Sequence, residues 1–511
     1  MAKLIKQNEM VLWYQPDGGG TAFKPYGIGA KAGGITGKSI PGADTTPVYG
    51  RTELGTPTII TENLEAPGDL PGATITVYEQ GQVDFLLEAL NQGCPINIQN
   101  RMNACGVLTN PNTWTSVEHW GNGRVTSYNP GDGPSVEYSG EAVQNEASVS
   151  FTHYIRLVQT GLSALTSNET EDILSVAGIT DEDCNRCGNG YPGADNVLVF
   201  GAGSSGGDAN VLYTENGGGS ILAMSPDPWA GLNNEENTFI AIRPISQSQV
   251  RVIVATGTPA TGANARFAYA DLTYGAMGSP TWTIVSIANT TVTTSAITAM
   301  LWATFDRNYI ASEGDIYLST DQGTTDPGLP IYTGAVAING FAKAPDDSEV
   351  WAFGASNLIL RELDQSGLFA TRVGPAGGGA FTALAIAGDG TLYAGNGTGI
   401  YKSTDKANVA GNWTELYDFG ASHAVRAIQC IGGDRANGGD SQLLRVIVDD
   451  TTPGAGTVWQ TIDGGATWQP VTTLTNAGYN GAYFSKINDN KAIIVGDASG
   501  GAGVIHYLGP Q

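Results

Sequence analysis

Four of the five cysteines are spaced for chemistry. Cys184 and Cys187 form a C-x-x-C, while Cys94 and Cys105 bracket a ten-residue segment. Four thiolates fit a tetrahedral zinc site, because C-x-x-C chelates well. The same four fit two disulfides in an oxidising medium, one of which could staple two subunits. Free thiols are the third reading. No βαβ pattern surrounds the C-x-x-C, which argues against thioredoxin-type redox work. Cys430 stands alone in an apolar run and reads as a buried core thiol. His119, His153, His423 and His506 are scattered, and His153 shares an apolar face with Phe151 and Ile155, as a core histidine does. The glycine runs at 18–20 and 377–379 lack the Lys-Ser/Thr of a phosphate loop. No Ser/His/Asp constellation stands out.

These residues sit on a chain that repeats itself in its second part. From about Asn196 a unit recurs: an apolar strand, a Gly-rich turn, a second strand, an Asp/Asn-Gly turn and an aromatic. The clearest copy places Thr461, Asp463, Gly465, Thr467 and Trp468 in the order [S/T]-x-D-x-G-x-[S/T]-W. This is the Asp-box, or BNR, pattern. A second copy holds Ser319, Asp321 and Gly323, with Asp326 at the Trp position. A third holds Ser403 and Asp405, with an insertion before Trp413. Weaker copies lie at Tyr213–Gly218, at Ala270-Asp271 with Trp282, and at Leu363–Gly367. The anchors are spaced about 41 to 58 residues apart, which suits one four-stranded propeller blade. A last partial unit, 491–507, echoes 196–201. Six units and a half predict a seven-bladed ring closed by strands from elsewhere in the chain, with six blades as the alternative.

The box has a structural task. Its Asp accepts backbone N–H groups in the turn, its Gly supplies a positive φ, and its Trp packs across the turn. The tryptophans at 229, 282, 302, 351, 413, 459 and 468 could stack sugars, but they read first as blade packing. The box pattern resembles that of sialidases, which hold a carboxylate with three Arg and use a Tyr nucleophile. The first Arg of that family lies in an F/Y-R-I-P motif ahead of the first box. Here the nearest match, Ile242-Arg243-Pro244-Ile245, is scrambled and follows the first degenerate box. No Glu follows Glu415. The expectation is a propeller that is not an enzyme, with no catalytic residue.

Residues 1–190 do not share the repeat. Residues 82–93 read as a helix: Val83, Leu86, Leu87 and Leu90 share a face, and Gly93 stops it. Residues 149–157 alternate as a half-buried strand does. Asn168 and Glu171 could cap a short helix running to Val176. Residues 18–55 are poor in apolar residues and rich in Gly, Lys and Thr, which predicts an extended arm or long loop. The order (β-domain, central helix, arm, late strong strand, appended domain) resembles phage virion structural proteins, most of all the tail tube family. That resemblance implies stacked hexameric rings, a β-barrel lining the lumen and an outward-projecting extra domain. It also implies copies of the chain and other virion proteins as partners, with genomic DNA only as passing cargo. Capsid decoration or another tail-associated role is the alternative, as is an adhesin that binds host or environmental glycans through the propeller.

Composition agrees with a mainly β protein. Gly accounts for 71 of 511 residues, and only 14% are charged. The net charge of −25 repels nucleic-acid phosphates, which argues against a reader of DNA or RNA. Residues 1–7 hold no signal-peptide core, and no stretch has the ~18–20 apolar residues of a membrane span. The expectation is therefore a protein made in a host cytoplasm and carried in a virion. Its fold would be a β-barrel or sandwich with one or two short helices over 1–190, then a six- or seven-bladed propeller over 195–511. No cofactor is expected, unless the four N-terminal cysteines hold zinc.

Overall fold

The computed structural model describes strands and short connections within 10–179, and most of 195–510 apart from loops such as 204–209, 231–235, 258–263, 289–295, 345–348, 432–438, 451–455, 474–477 and 486–489. The chain divides into two compact units, Met1–Val158 and Gln159–Gln511.

The first unit is built from β1 (Met10–Gln15), β2 (Lys24–Ile28), β3 (Gly34–Ser39), β4 (Asp44–Arg51), β5 (Pro57–Glu65), β6 (Gly72–Val77), β7 (Ile96–Asn103), β8 (Trp114–Asn129), β9 (Asn145–Ser150) and β10 (His153–Val158). Eight of these form a sheet in the order β2-β1-β7-β8-β9-β6-β3, with β10 added on β8. The 16-residue β8 makes this possible. Its first part pairs with β7 and β10, and from Arg124 it pairs with β9. A strand that serves two sheets turns a sandwich corner. The predicted strand at 149–157 is thus two strands, β9 and β10, meeting at Phe151-Thr152. The predicted alternation holds, with Val149, Phe151, Ile155 and Leu157 buried. The helix read over 82–93 is described at residues 87 and 89–91. Gly93 ends it at φ 66°, its N–H donating to the Ala89 carbonyl. Leu87, Ala89 and Leu90 pack on Ile98, Trp120 and Val149. The segment 18–55, expected as an extended arm or long loop, contains strands. It holds β2, β3 and β4, and β4 pairs with β5 as a two-stranded sheet of its own.

The second unit is a seven-bladed β-propeller. Blade 1 is β12 (Ile173–Gly178), β13 (Leu198–Ala202), β14 (Val211–Thr214) and β15 (Leu222–Ala223). Blade 2 is β16 (Phe239–Pro244), β17 (Gln249–Ala255), β18 (Arg266–Thr273) and β19 (Thr283–Ser286). Blade 3 is β20 (Ile297–Trp302), β21 (Asn308–Ser312) and β22 (Asp315–Ser319). Blade 4 is β23 (Ile338–Lys343), β24 (Glu349–Gly354), β25 (Leu358–Leu363) and β26 (Phe369–Val373). Blade 5 is β27 (Phe381–Ile386), β28 (Leu392–Asn396), β29 (Gly399–Ser403) and β30 (Trp413–Asp418). Blade 6 is β31 (His423–Cys430), β32 (Leu444–Asp450), β33 (Thr457–Thr461) and β34 (Gln469–Thr473). Blade 7 is β35 (Tyr479–Phe484), β36 (Ala492–Ser499), β37 (Ala502–Pro510) and, outermost, β11 (Thr160–Ala164).

The inner strands β12, β16, β20, β23, β27, β31 and β35 touch in turn, and β35 returns to β12. An apolar cluster fills each blade interface. Two boundaries move relative to the sequence reading. The propeller begins at β11, not at 195, and 173–178 is the inner strand of blade 1, not a helix. Ile173, Leu174 and Val176 satisfy a helical spacing as easily as a strand, and a short apolar run does not decide between them. The expected cap fails because the Glu169 carboxylate accepts the N–H groups of Thr170 and Glu171 in a turn. Blade 3 has three strands because the chain after β22 runs Asp326-Pro327-Gly328-Leu329-Pro330. Ile316 bridges to Tyr332, but Pro330, two residues earlier, has no N–H to extend the ladder.

One position breaks the repeat. The residue opposite the box hydroxyl at the start of the second strand is Leu198, Leu392 or Leu444 in three blades. In blade 3 it is Asn308, fully buried, and neither amide atom has a hydrogen-bond partner among the described residues. Asn308→Leu should stabilise the propeller by about 1–2 kcal/mol, read as a higher urea midpoint at unchanged slope. A lower midpoint would show that the amide has a partner worth keeping.

Candidate functional site

Antiparallel order gives each blade two ends. Turns from first to second strand and from third to fourth lie at one end, and the other connections lie at the opposite end. The box turns that follow Thr214, Ser319, Ser403 and Thr461 fall at the first end, after the third strand of their blades.

Four box turns share one geometry. The Ser/Thr hydroxyl donates to the Asp or Asn two residues on: Thr214 to Asn216 at 2.8 Å, and Ser319 to Asp321, Ser403 to Asp405 and Thr461 to Asp463 each at 2.7 Å. The same hydroxyl accepts the N–H four residues on, from Gly218, Gly323, Ala407 and Gly465, at 2.9–3.1 Å. Two successive residues then take the left-handed conformation, Gly464 and Gly465 in the clearest copy. Thr467 donates to Asp463 through both N–H and hydroxyl, and the Trp468 ring N–H donates to the Gly465 carbonyl. The weak copies differ. Asp271 lies in β18 and takes Arg251 in a two-pronged ion pair, making no box turn. In blade 4, Asp364 lies outside the described residues, and Glu362 accepts the Gly367 N–H.

This end also bolts blade to blade. Arg251 of blade 2 reaches the Gln322 carbonyl in the blade 3 box. Glu349 and Arg361 of blade 4 pair, and Lys406 of the blade 5 box joins Glu349 at 2.9 Å. Tyr309 of blade 3 donates to Glu362 of blade 4, with Arg307 alongside. A Tyr, a Glu and an Arg in contact are sialidase-type groups, but Tyr309 and Glu362 are closed to solvent, so no sugar reaches them. Burial pushes the Tyr309 hydroxyl well above its ordinary range. These charges hold the ring together.

The opposite end carries a feature that the box search does not find. In six blades the inner strand carries a bulge near its start: Leu174, Thr298, Asn339, Thr382 and Asn480 at the second residue, and Arg426 at the fourth. Blade 2 has Ile240 there, in regular register. A bulge re-aims a side chain, and these six lie at the same end of their blades. Several brace the next blade. The Asn339 amide donates to the Phe381 carbonyl at 2.8 Å, Thr382 donates to the Val425 carbonyl, and Asn480 donates to the Ile173 carbonyl at 3.1 Å. Asn480 also donates to Asp497 at 2.9 Å. Arg426 donates to Asp449 at 2.7 Å, and Asp449 accepts the Tyr479 N–H. Nearby, burial and then the Asp172 charge raise the Glu236 carboxyl above its ordinary range. The bulge needs room. A Cβ on Gly354 or Gly496, both in second strands, would sit about 2 Å from the carbonyl of Ala337 or Gly478. The sequence signal was present: an apolar residue, a variable one and then Gly, Ala or Ser, as in Ile338-Asn339-Gly340, Phe381-Thr382-Ala383 and Tyr479-Asn480-Gly481.

Other candidates are placed as follows. Cys94, Cys105, Cys184 and Cys187, and with them the zinc reading, lie outside the described residues. Cys430 ends β31, and burial, then Asp389 and Asp440, push its thiol well up. His153 lies half-buried against the Gly121 backbone, 5.7 Å from the His119 ring. Trp229 and Trp351 are fully buried, while Trp282 and Trp413 tie their ring N–H groups to the carbonyls of Pro226 and Val373.

No protein-family model matches the sequence, and no curated protein matches it. Among solved structures, YCF48 from Cyanidioschyzon merolae is similar at 10% identity and a TM-score of 0.48, covering 68% of this chain and 98% of that one. A YCF48 bound to D1 peptide is similar at 12% identity and a TM-score of 0.46, covering 70% and 98%. The propeller assignment rests on the strand pairing.

Two predictions follow from the box turns. Desolvation acts to raise the Asp321 carboxyl, but hydrogen bonds from Thr325, Ser319 and Thr324 outweigh it and hold the group at about 2. A depressed folded pKa contributes stability above the unfolded value of about 3.9, and that stability is lost as pH falls toward 2. Asp321→Asn should therefore cost on the order of 1 kcal/mol at pH 6, discounted for solvent screening, and nothing near pH 2. A gap independent of pH in urea melts would contradict this. Ala407 occupies the left-handed position held by Gly in the other three turns, at φ 56°. Ala407→Gly should gain about 0.5–1 kcal/mol in the same assay, and a loss would show that Ala packing outweighs the strain.

Proposed function

We propose that this chain is a structural subunit of a phage particle, a tail tube protein in the best-supported reading, assembling through its first unit and displaying the propeller. The observation that carries this is the β4–β5 hairpin. It joins strands of eight and nine residues in a two-stranded sheet of its own. A lone hairpin is marginally stable in water, so a second copy of the chain is the natural surface for it to lie on. Among the described residues β2 and β3 are the edge strands of the main sheet, and an edge offers further backbone for a neighbour. The acidic net charge of −25 supports a wall along which DNA passes without sticking.

Negative-stain electron microscopy of the full chain, across salt and protein concentration, tests the reading. Rings or stacked tubes with knobs outside are expected. Replacing residues 44–65 with a short Gly-Ser link should leave single particles with an intact propeller. Monodisperse monomers of the unaltered chain under every condition would overturn the reading.

A further inference from the structure

Among the described residues, blade 3 is the one blade without a fourth strand. In the other box blades, the residue just before the box hydroxyl pairs with the start of the fourth strand: Tyr213 with Leu222, Lys402 with Thr414 and Gln460 with Gln469. Its counterpart in blade 3 is Leu318. The Ile316 N–H donates outward to the Tyr332 carbonyl, and the Ile316 carbonyl accepts the Ile331 N–H. Strand alternation turns the N–H and C=O of Leu318 to the same side, where no group among the described residues bonds to them. Aligned on the box, Pro327 stands where Gln469 opens β34, and it has no N–H to give. Asp326 ties this segment to blade 2 instead, its carboxylate accepting the Ala288 N–H at 3.1 Å. The gap is flanked by the two most exposed large apolar side chains among the described residues, Leu329 at 75% and Leu368 at 73%. Leu329 lies two residues before Ile331. Leu368 follows Gly367, whose Cβ position is 3.9 Å from the Leu318 side chain. Leu318, Ile331, Tyr332 and Phe369 are only partly buried against the core between blades 3 and 4. Outward main-chain groups without partners and leucines this exposed, in one place, mark an edge that another strand covers.

The chain also carries a strand with an edge to spare. β5 pairs with β4 alone, so its other edge is unpaired among the described residues. Pro47 removes an N–H from the middle of β4, whereas β5 has Pro only at its first residue. β5 supplies Ile59, Ile60 and Leu64. Its residues 57–61 bring no charge to an edge flanked by Asp315 and Asp326. In strand addition, main-chain bonds give the affinity and alternate side chains give the specificity. We infer that β5 of a second copy adds to the open edge of blade 3 as its missing fourth strand, pairing at Leu318 and covering Leu329 and Leu368. This rests on the proposed assembly through the first unit, and it names the surface on which the hairpin lies.

The test is photo-crosslinking of the full chain with p-benzoylphenylalanine in place of Leu329, in a mixture of isotopically light and heavy copies, under the conditions in which the unaltered chain forms rings or tubes. Crosslinks from position 329 to residues 57–65, joining a light copy to a heavy one, are expected. Leu329→Asp combined with Leu368→Asp should weaken assembly about tenfold or more, with unchanged thermal unfolding because both side chains stand in solvent in the single chain. Leu222→Asp, an exposed site on blade 1, should leave assembly unchanged and controls for the added charge. Crosslinks within one copy, crosslinks to any segment other than 57–65, or assembly that survives the double variant would each overturn the site while leaving the assembly reading in place. An unaltered chain that stays monomeric under every condition would remove the assembly reading and this site with it.

Discussion

The propeller depends on one pairing. Seven sheets packed in a circle bury both faces of every blade only if the last blade meets the first. Here the outermost strand of blade 7 comes from the other end of the domain: β11 pairs with β37, Leu162 opposite Leu508. Leu162 then packs with Leu508, Ile494 and Tyr479, so the closing strand is tied by backbone bonds and by core. Without it, β37 would be an open edge, the situation that closed architectures exist to avoid. The closing strand begins at Thr160, two residues after β10 ends at Val158.

Around that ring the two ends divide the work. The box end is rigid and charged inward. Hydroxyl, carboxylate and left-handed residues make tight turns there, and Arg251, Glu349, Arg361 and Lys406 fasten blade 2 to blade 3 and blade 4 to blade 5. Buried ion pairs are weak sources of net stability but are costly to break singly. Their value here is register between blades that share no backbone ladder. The opposite end is bulged and varied. There Asn339, Thr382 and Asn480 brace the neighbouring blades. Repetition with variation at one position per blade lets a constant scaffold carry an adjustable surface.

Much of this was legible in the chain. The box residues announced the propeller because Asp463, Gly465 and Trp468 are required by turn geometry, not by packing that varies from blade to blade. The half unit at 491–507 correctly pointed to closure by a strand from elsewhere. What escaped notice had physical causes. β11 (Thr160–Ala164) and β12 (Ile173–Gly178) are short and carry no box, so nothing local marks them as blade strands. The bulges are set by register between strands, and a single sequence does not display register. The apolar-variable-small triplet becomes visible only once the inner strands are aligned. Asp271 resembled a box anchor because an Asp with a later Trp fits the pattern. It failed because Arg251 lies opposite in the sheet. The segment 18–55 read as loop because Gly and Thr are plentiful and because a strand such as β4, with adjacent Thr45 and Thr46, then Pro47, and apolar residues only at Val48 and Tyr49, shows no alternation.

Amide hydrogen exchange on the intact chain tests the ring closure most directly. Closure by β11 predicts that the amides of 160–164 exchange as slowly as those of β36 and β37, and that all three open together under mild denaturant. Exchange of 160–164 within seconds, at the rate of a connecting loop, with β37 still protected, would contradict it.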